Sequence, residues 1–239
     1  MKTVLLAGGS GGMGSAVARQ AARSGWSVIV GYNHGRDRAE NLVKEIVDSG
    51  QQASSVRLAL DDSLTINRAL EVVADQGGTL QALVLAASQP PVLKPFLKIG
   101  QPDFTNELAV NLLGTQVLIA ESWKRFFRRN GGGHVIAVLS AAAGAPPWGN
   151  MCSYVVAKRA LQALLECAAV ELGDAGLRVS VISPSYTETP MLLGVHPLVL
   201  GAARAKQRFL LPDEVARRIV ASLENPPPDS NLQTLKIDE

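Results

Sequence analysis

Hydrophobic and polar positions along the chain follow two alternating rhythms. Short runs that are apolar nearly throughout predict seven strands: TVLLAGG (3–9), SVIVGY (27–32), SSVRLAL (54–60), LQALVLAA (80–87), HVIAVLS (134–140), RVSVISP (178–184) and LQTLKID (232–238). Between them the apolar positions take up a helical period. GMGSAVARQAARSG reads as a helix stopped at Gly25, RAENLVKEIVDSG as one stopped at Gly50, and TINRALEVVADQ (65–76) as a third. A long helix is expected from about 102 to 129, another from Tyr154 to Leu172, and a last one over PDEVARRIVASL (212–223), with Pro212 at its start. Residues 186–211 read as irregular or short helix.

Strands that are apolar on both faces and separated by helices imply a parallel sheet covered on both sides. The one linker-like stretch, ENPPPDS (224–230), comes too near the end to divide the chain. The expectation is one doubly wound α/β domain over residues 1–239.

Composition narrows the function classes. The 239 residues are 47% hydrophobic and 18% charged, enough apolar material for a full core and against disorder. Net charge is +2, from 23 basic and 21 acidic residues, which argues against nucleic acid as a partner. The two cysteines, Cys152 and Cys167, make no disulfide framework, and no Cys/His cluster has metal-ligand spacing, so no metal site is expected. MKTVLLAGG carries only VLLA as an apolar run before a glycine turn, which suits a buried strand better than a secretion signal. No run approaches the ~18 apolar residues of a membrane span. A soluble, cytoplasmic protein is expected.

AGGSGGMG (7–14) joins the first strand to the first helix and spaces Gly8, Gly12 and Gly14 as GxxxGxG. Glycines there let the backbone approach a pyrophosphate, and the helix N-terminus offers it free N–H groups. The end of the second strand decides which nucleotide fits. Tyr32 and Asn33 stand where a carboxylate would bind an NAD ribose, and His34, Arg36 and Arg38 follow. That pattern favours a 2′-phosphate, hence NADP(H) over NAD(H); a solvated basic turn explains the same residues nearly as well. Asp61, after the third strand, is placed to accept from an adenine amino group, though Asp61 or Asp62 would equally cap the next helix.

SYVVAK (153–158) puts Tyr154 and Lys158 one helical turn apart. Alone, the pair is unremarkable. Together with VNLLG (Asn111), VIAVLS (Ser140) and SPSYTETPM (183–191), in this order behind a glycine loop, the chain resembles the short-chain dehydrogenase/reductase family over nearly its whole length. The resemblance implies a single Rossmann-type domain with a mainly parallel seven-stranded sheet. It implies hydride transfer between a nicotinamide and a carbonyl or secondary alcohol. It also implies an Asn111–Ser140–Tyr154–Lys158 tetrad. Tyr154 would exchange the proton with the substrate oxygen, Ser140 would bond that oxygen, Lys158 would hold the nicotinamide ribose, and Asn111 would order a water. A phenol's ordinary pKa of about 10 suits neutral pH poorly, and a nearby ammonium would lower it. The implied cofactor-binding positions are Gly8, Ser10, Gly12, Met13, Gly14, Tyr32, Asn33, His34, Arg36, Asp61, Ala86, Ala87, Tyr154, Lys158, Pro184, Thr187 and Thr189.

The chain departs from the family at Ala7, in LAAS (85–88) where Asn-Asn-Ala-Gly is usual, and at Ser185 where Gly is usual. Ser140 lies one residue further from Tyr154 than is common; Ala141 fits the shorter spacing but has no hydroxyl. The segment 191–211 should cover an apolar substrate, with Pro147, Trp148 and Met151 opposite. The nearest likeness is to 3-oxoacyl-carrier-protein reductases. This makes an oxoacyl thioester a candidate substrate and an acidic acyl carrier protein, met by Arg128 and Arg129, a candidate partner. The rival readings are an alcohol dehydrogenase running oxidatively and a non-catalytic nucleotide-binding regulator. A homodimer or homotetramer is expected, with Trp123, Phe126 and Phe127 placed either in its interface or in the core.

Overall fold

The computed structural model describes residues 2–75, 79–229, 231–235 and 237. The expected helix end at Gln76 and positions 236 and 238 of the last expected strand lie outside the described residues. Seven strands form: β1 (Thr3–Ala7), β2 (Ser27–Tyr32), β3 (Ala53–Arg57), β4 (Leu80–Leu85), β5 (Gly133–Val138), β6 (Leu177–Ile182) and β7 (Gln233–Leu235). They pair in parallel throughout, in the order β3-β2-β1-β4-β5-β6-β7. β2 matches its apolar run, whereas β1, β3, β4, β5 and β6 stop two or three residues before the end of theirs, where the chain turns into the loops that carry the polar groups.

Alternation along the strands splits the core in two. Leu5, Ile29, Leu83, Val135 and Val179 face one side, where α3 (Ser63–Asp75), α5 (Thr115–Ser122) and α6 (Cys152–Leu172) pack. Val4, Leu6, Val28, Val84 and Ile136 face the other, against α1 (Gly12–Arg23), α2 (Arg36–Asp48) and α8 (Pro212–Glu224). The chain order reverses between β1 and β4, whose C-terminal residues Ala7 and Leu85 are register partners. In a doubly wound sheet the crevice at that reversal is where ligands bind.

The long helix expected over 102–129 is helical from Gln101 to Phe127 but not uniform, and residues 128–129 form a turn. It runs as α4 (Gln101–Leu108), a π turn (Ala109–Gly114), α5, and a second π turn (Trp123–Phe127). Gly114 ends the first: it presses on the Leu60 carbonyl more closely than any Cβ would allow. The widened turn leaves Thr115 Oγ1 to bond Val110 O at 3.3 Å. Phe126 and Phe127 are buried in the core, and the partly buried Trp123 packs against it. Between β6 and α8 the chain forms a 3₁₀ turn (Pro190–Gly194) and α7 (Pro197–Arg204).

His134 opens a buried polar cluster between the sheet and α8. Its Nε2 lies 2.9 Å from Ser180 Oγ, which is also bonded by Ser222. Burial pushes the imidazole down to about 4 from an ordinary 6.5. The folded state therefore binds fewer protons than the unfolded chain between these values. Stability from this group is complete above pH 6.5 and is lost as pH falls toward 4. The loss is of the order of 3 kcal/mol. Denaturant unfolding of His134→Asn should show a shallower pH dependence across this window than the wild type.

Candidate active site

The loop after β1 is shaped by what it touches. Gly8 has φ +80°, and a Cβ on it would lie 2.6 Å from the Ala87 amide nitrogen. The Ala86 amide donates to Ala7 O at 2.9 Å, so the loops after β1 and β4 are held together at the chain reversal. α1 begins at Gly12 behind Gly11, with no side chain capping its first amides, and Met13 packs against the core. Gly14 packs on the Gly8 carbonyl too closely for a side chain. Gly12 faces the loop after β6: a Cβ there would meet Thr189 Cβ at 2.9 Å. Thr189 thus closes over the glycine loop. Thr187 is buried and its hydroxyl donates to Ser185 O at 3.1 Å, a bond internal to its own loop.

At the end of β2, Tyr32 and Asn33 are half-buried and His34 is exposed. The two arginines part company. Arg36 points to solvent and pairs with Glu40 at 2.7 Å, one turn along α2. Arg38 turns back over Gly35, where a Cβ would sit 2.6 Å from Arg38 Nη2 and 2.9 Å from Ser10 Oγ. Arg38, rather than Arg36, therefore lies beside the glycine loop. Asp62 accepts from the Leu64 amide at 2.9 Å and caps α3, leaving the exposed Asp61 free of that duty.

The four tetrad candidates come together at the C-terminal edge of the sheet. α6 buries both Tyr154 and Lys158. Lys158 Nζ donates to Val138 O at 3.0 Å and lies 5.6 Å from the centroid of the Tyr154 ring. Ser140, at the head of a short 3₁₀ turn (Ala141–Ala143), accepts from the Ala142 amide at 3.2 Å. Its hydroxyl lies near enough to the Tyr154 phenol to favour the phenolate, so Ser140, rather than Ala141, has a polar group beside Tyr154. The Ala141 amide donates to Pro184 O at 3.0 Å, tying this turn to the loop after β6.

Electrostatics here differ from the expectation of a lowered phenol. Burial raises the Tyr154 pKa above its ordinary 10, against the Ser140 hydroxyl, which lowers it; the charge of Glu107 raises it further. Lys158 does not offset this, because its own burial pulls the ammonium down to about 8.

Asn111 sits in the first π turn, buried, and its amide is fully engaged. Nδ2 donates to Glu107 O at 3.1 Å and to Glu107 Oε2 at 2.9 Å, while Oδ1 accepts from Ser88 Oγ at 3.2 Å. Ser88 ends the LAAS departure, so that segment, though it lacks the usual amide side chains, still steadies the site through Asn111.

Tyr186, a residue that sequence reading passed over, stacks on Trp148 at 4.6 Å and on Phe209 at 4.7 Å. The cavity beside this stack has a volume of about 420 Å³ and is lined in part by Trp148, Tyr186, Val199 and Lys206. Arg128 and Arg129 lie elsewhere. They are exposed at the turn leading into β5, at its N-terminal end, whereas Ser140 follows its C-terminal end. Six strand residues span ~20 Å, so one chain does not bring these arginines to the tetrad. Among the described residues, no group of three or more His, Cys, Asp or Glu is placed to hold a metal ion, and no helix is long and apolar enough to cross a membrane.

Comparison with known proteins agrees with this geometry. Residues 2–197 match the family described as short chain dehydrogenase. The chain is 31% identical to 2,5-dichloro-2,5-cyclohexadiene-1,4-diol dehydrogenase LinX from Sphingobium indicum, over 83% of this chain and 78% of the relative. It is 27% identical to the 3-oxoacyl-[acyl-carrier-protein] reductase FabG of Staphylococcus aureus, over 80% and 76%. A short chain dehydrogenase from Burkholderia cenocepacia, solved in complex with NADP, superimposes with a TM-score of 0.84 at 25% identity, covering 98% of this chain and 96% of that one. The chain belongs to the short-chain dehydrogenase/reductase family, NAD(P)-dependent oxidoreductases acting on CH–OH groups and carbonyls.

The loop contact at the chain reversal gives a test. Gly8→Ala adds a Cβ at positive φ against the Ala87 backbone, which should cost ~1–3 kcal/mol and push the two loops apart. Thermal unfolding should fall by several degrees, and nucleotide binding, followed by fluorescence titration, should weaken at least tenfold.

Proposed function

We propose that the protein is an NADP(H)-dependent reductase of a ketone on a compact apolar body, with Tyr154 as the proton donor. The observation that carries this reading is the buried Tyr154 phenol, with the Ser140 hydroxyl near it and the buried Lys158 one turn later, its Nζ 5.6 Å from the phenol ring. A dinucleotide fits what surrounds them. The uncapped first turn of α1 suits the diphosphate, and the tight seating of Gly8 on Ala87 leaves the loop's backbone facing the crevice. Gly8, Ser10, Gly12, Met13 and Gly14 would hold the diphosphate. Asp61, Ala86 and Ala87 would line the adenosine side, and Pro184 and Thr189 the nicotinamide side. Bound there, the nicotinamide supplies or accepts the hydride.

The chain's own residues manage the proton. Ser140 holds the substrate oxygen next to the phenol, and Tyr154 gives that oxygen its proton on reduction or takes it on oxidation. A phenol raised by burial stays protonated at neutral pH, the form that delivers a proton in reduction. Lys158 would restore the phenolate's proton and bind the nicotinamide ribose.

Arg38 and Ser10 support the NADP(H) preference, since a guanidinium and a hydroxyl beside the loop suit a 2′-phosphate. The stacked rings of Trp148 and Tyr186 support an apolar substrate. An oxoacyl thioester is the alternative substrate; Arg128 and Arg129, at the far end of β5 from Ser140, would meet a carrier protein away from the tetrad.

Two measurements check this. Tyr154→Phe should lower ketone reduction by at least a hundredfold while nucleotide binding stays within about threefold. Activity within tenfold of wild type removes Tyr154 as proton donor. In fluorescence titrations NADPH should bind more tightly than NADH. Arg38→Glu should narrow that preference more than Arg36→Glu, because Arg36 is already paired with Glu40.

A further inference from the structure

The site holds one acidic group that the proposed chemistry does not use. Glu107 closes α4 and is only 1% exposed. Its Oε2 accepts from Asn111, and its Oε1 makes no hydrogen bond among the described residues. The groups facing it come from three elements. From α6 come Lys158 and Tyr154, both of which feel its charge. From the π turn comes Asn111. From the loop after β4 comes the Val92 amide, which favours the charged form. On its own helix, Asp103 lies one turn back and is paired with Lys94 at 2.8 Å.

A bare carboxylate is costly to bury, and an apolar side chain would fill this place more cheaply. We propose, resting on the reading above, that Glu107 is a positioning residue of the reaction: it fixes the Asn111 amide and supplies the acidic counter-charge to the Lys158–Tyr154 pair. Charged, it holds the proton on both neighbours and keeps the site in its proton-donating form. Neutral, it releases that hold. Burial places its own pKa at about 7, so the change falls within the working range. No covalent step is involved, and the proton that Tyr154 delivers is the one described above.

Glu107→Gln separates charge from position, because an amide oxygen can still accept from Asn111 Nδ2. The pH profile of alcohol oxidation, which needs the phenolate, should move to lower pH by at least about half a unit. The two profiles should converge below about pH 7, where the wild-type carboxyl is already neutral. Glu107→Asp should restore part of the wild-type profile. An unchanged midpoint, or one moved upward, overturns the proposal. A lower maximal rate with the same midpoint overturns it as well, since that is what a merely structural role produces. The ¹³Cζ resonance of Tyr154, assigned with Tyr154→Phe and titrated in both forms, reads the same coupling without turnover. If the enzyme reduces none of the ketones tried, the proposed function fails, yet a downward move of this titration in Glu107→Gln still upholds Glu107, and no move rejects it.

Discussion

The bond from Lys158 Nζ to Val138 O is the constraint on which the rest of the site depends. An ammonium that is 3% exposed has lost most of its hydration, and one backbone carbonyl replaces only part of it. That bond fixes the turn of α6 against the end of β5. It sets Tyr154 one turn earlier on the same face and brings its phenol to Ser140, which the same strand delivers. Removing either end would leave a buried group unpaired, so α6 cannot rotate without cost.

The second consequence is electrostatic. Burial moves three groups toward neutrality: Glu107 up to about 7, Lys158 down to about 8, and the Tyr154 phenol upward. Each eases another, since the carboxylate's charge favours the ammonium and the ammonium's favours the carboxylate. The π turn at Ala109–Gly114 makes this meeting possible. Its last residue, Gly114, sits on the Leu60 backbone, and it carries Asn111 between Glu107 and Ser88. Packing far from the reacting atoms thus decides what polar groups meet near them.

Much of this was legible in the sequence. Buried parallel strands read as unbroken apolar runs, so the sheet and its helices could be placed within a few residues. The glycine loop and the Tyr154–Lys158 spacing are local, and local patterns survive in the linear chain. What stayed hidden depends on long-range placement. Nothing in RDR (36–38) says that Arg36 turns to Glu40 and Arg38 to Ser10. Nothing in NELAVN (106–111) announces a π turn or a buried acid; Glu107 reads there as an ordinary helix surface residue. LAAS reads as a loss, and only the fold shows Ser88 reaching Asn111. The phenol's direction was misjudged because spacing places the ammonium near it but says nothing about how deeply both are buried.

The measurement that bears most directly on this account is Lys158→Met, followed by both thermal unfolding and ketone reduction with NADPH. Replacing the ammonium by an apolar side chain of similar length leaves the buried Val138 carbonyl and the Glu107 carboxyl without their cationic partner, so thermal unfolding should fall by several degrees while the fold persists. Reduction should fall by at least a hundredfold at every pH from about 6 to about 9. A variant that folds normally and reduces the ketone within tenfold of wild type would contradict the account, because the proton would then reach Tyr154 without Lys158.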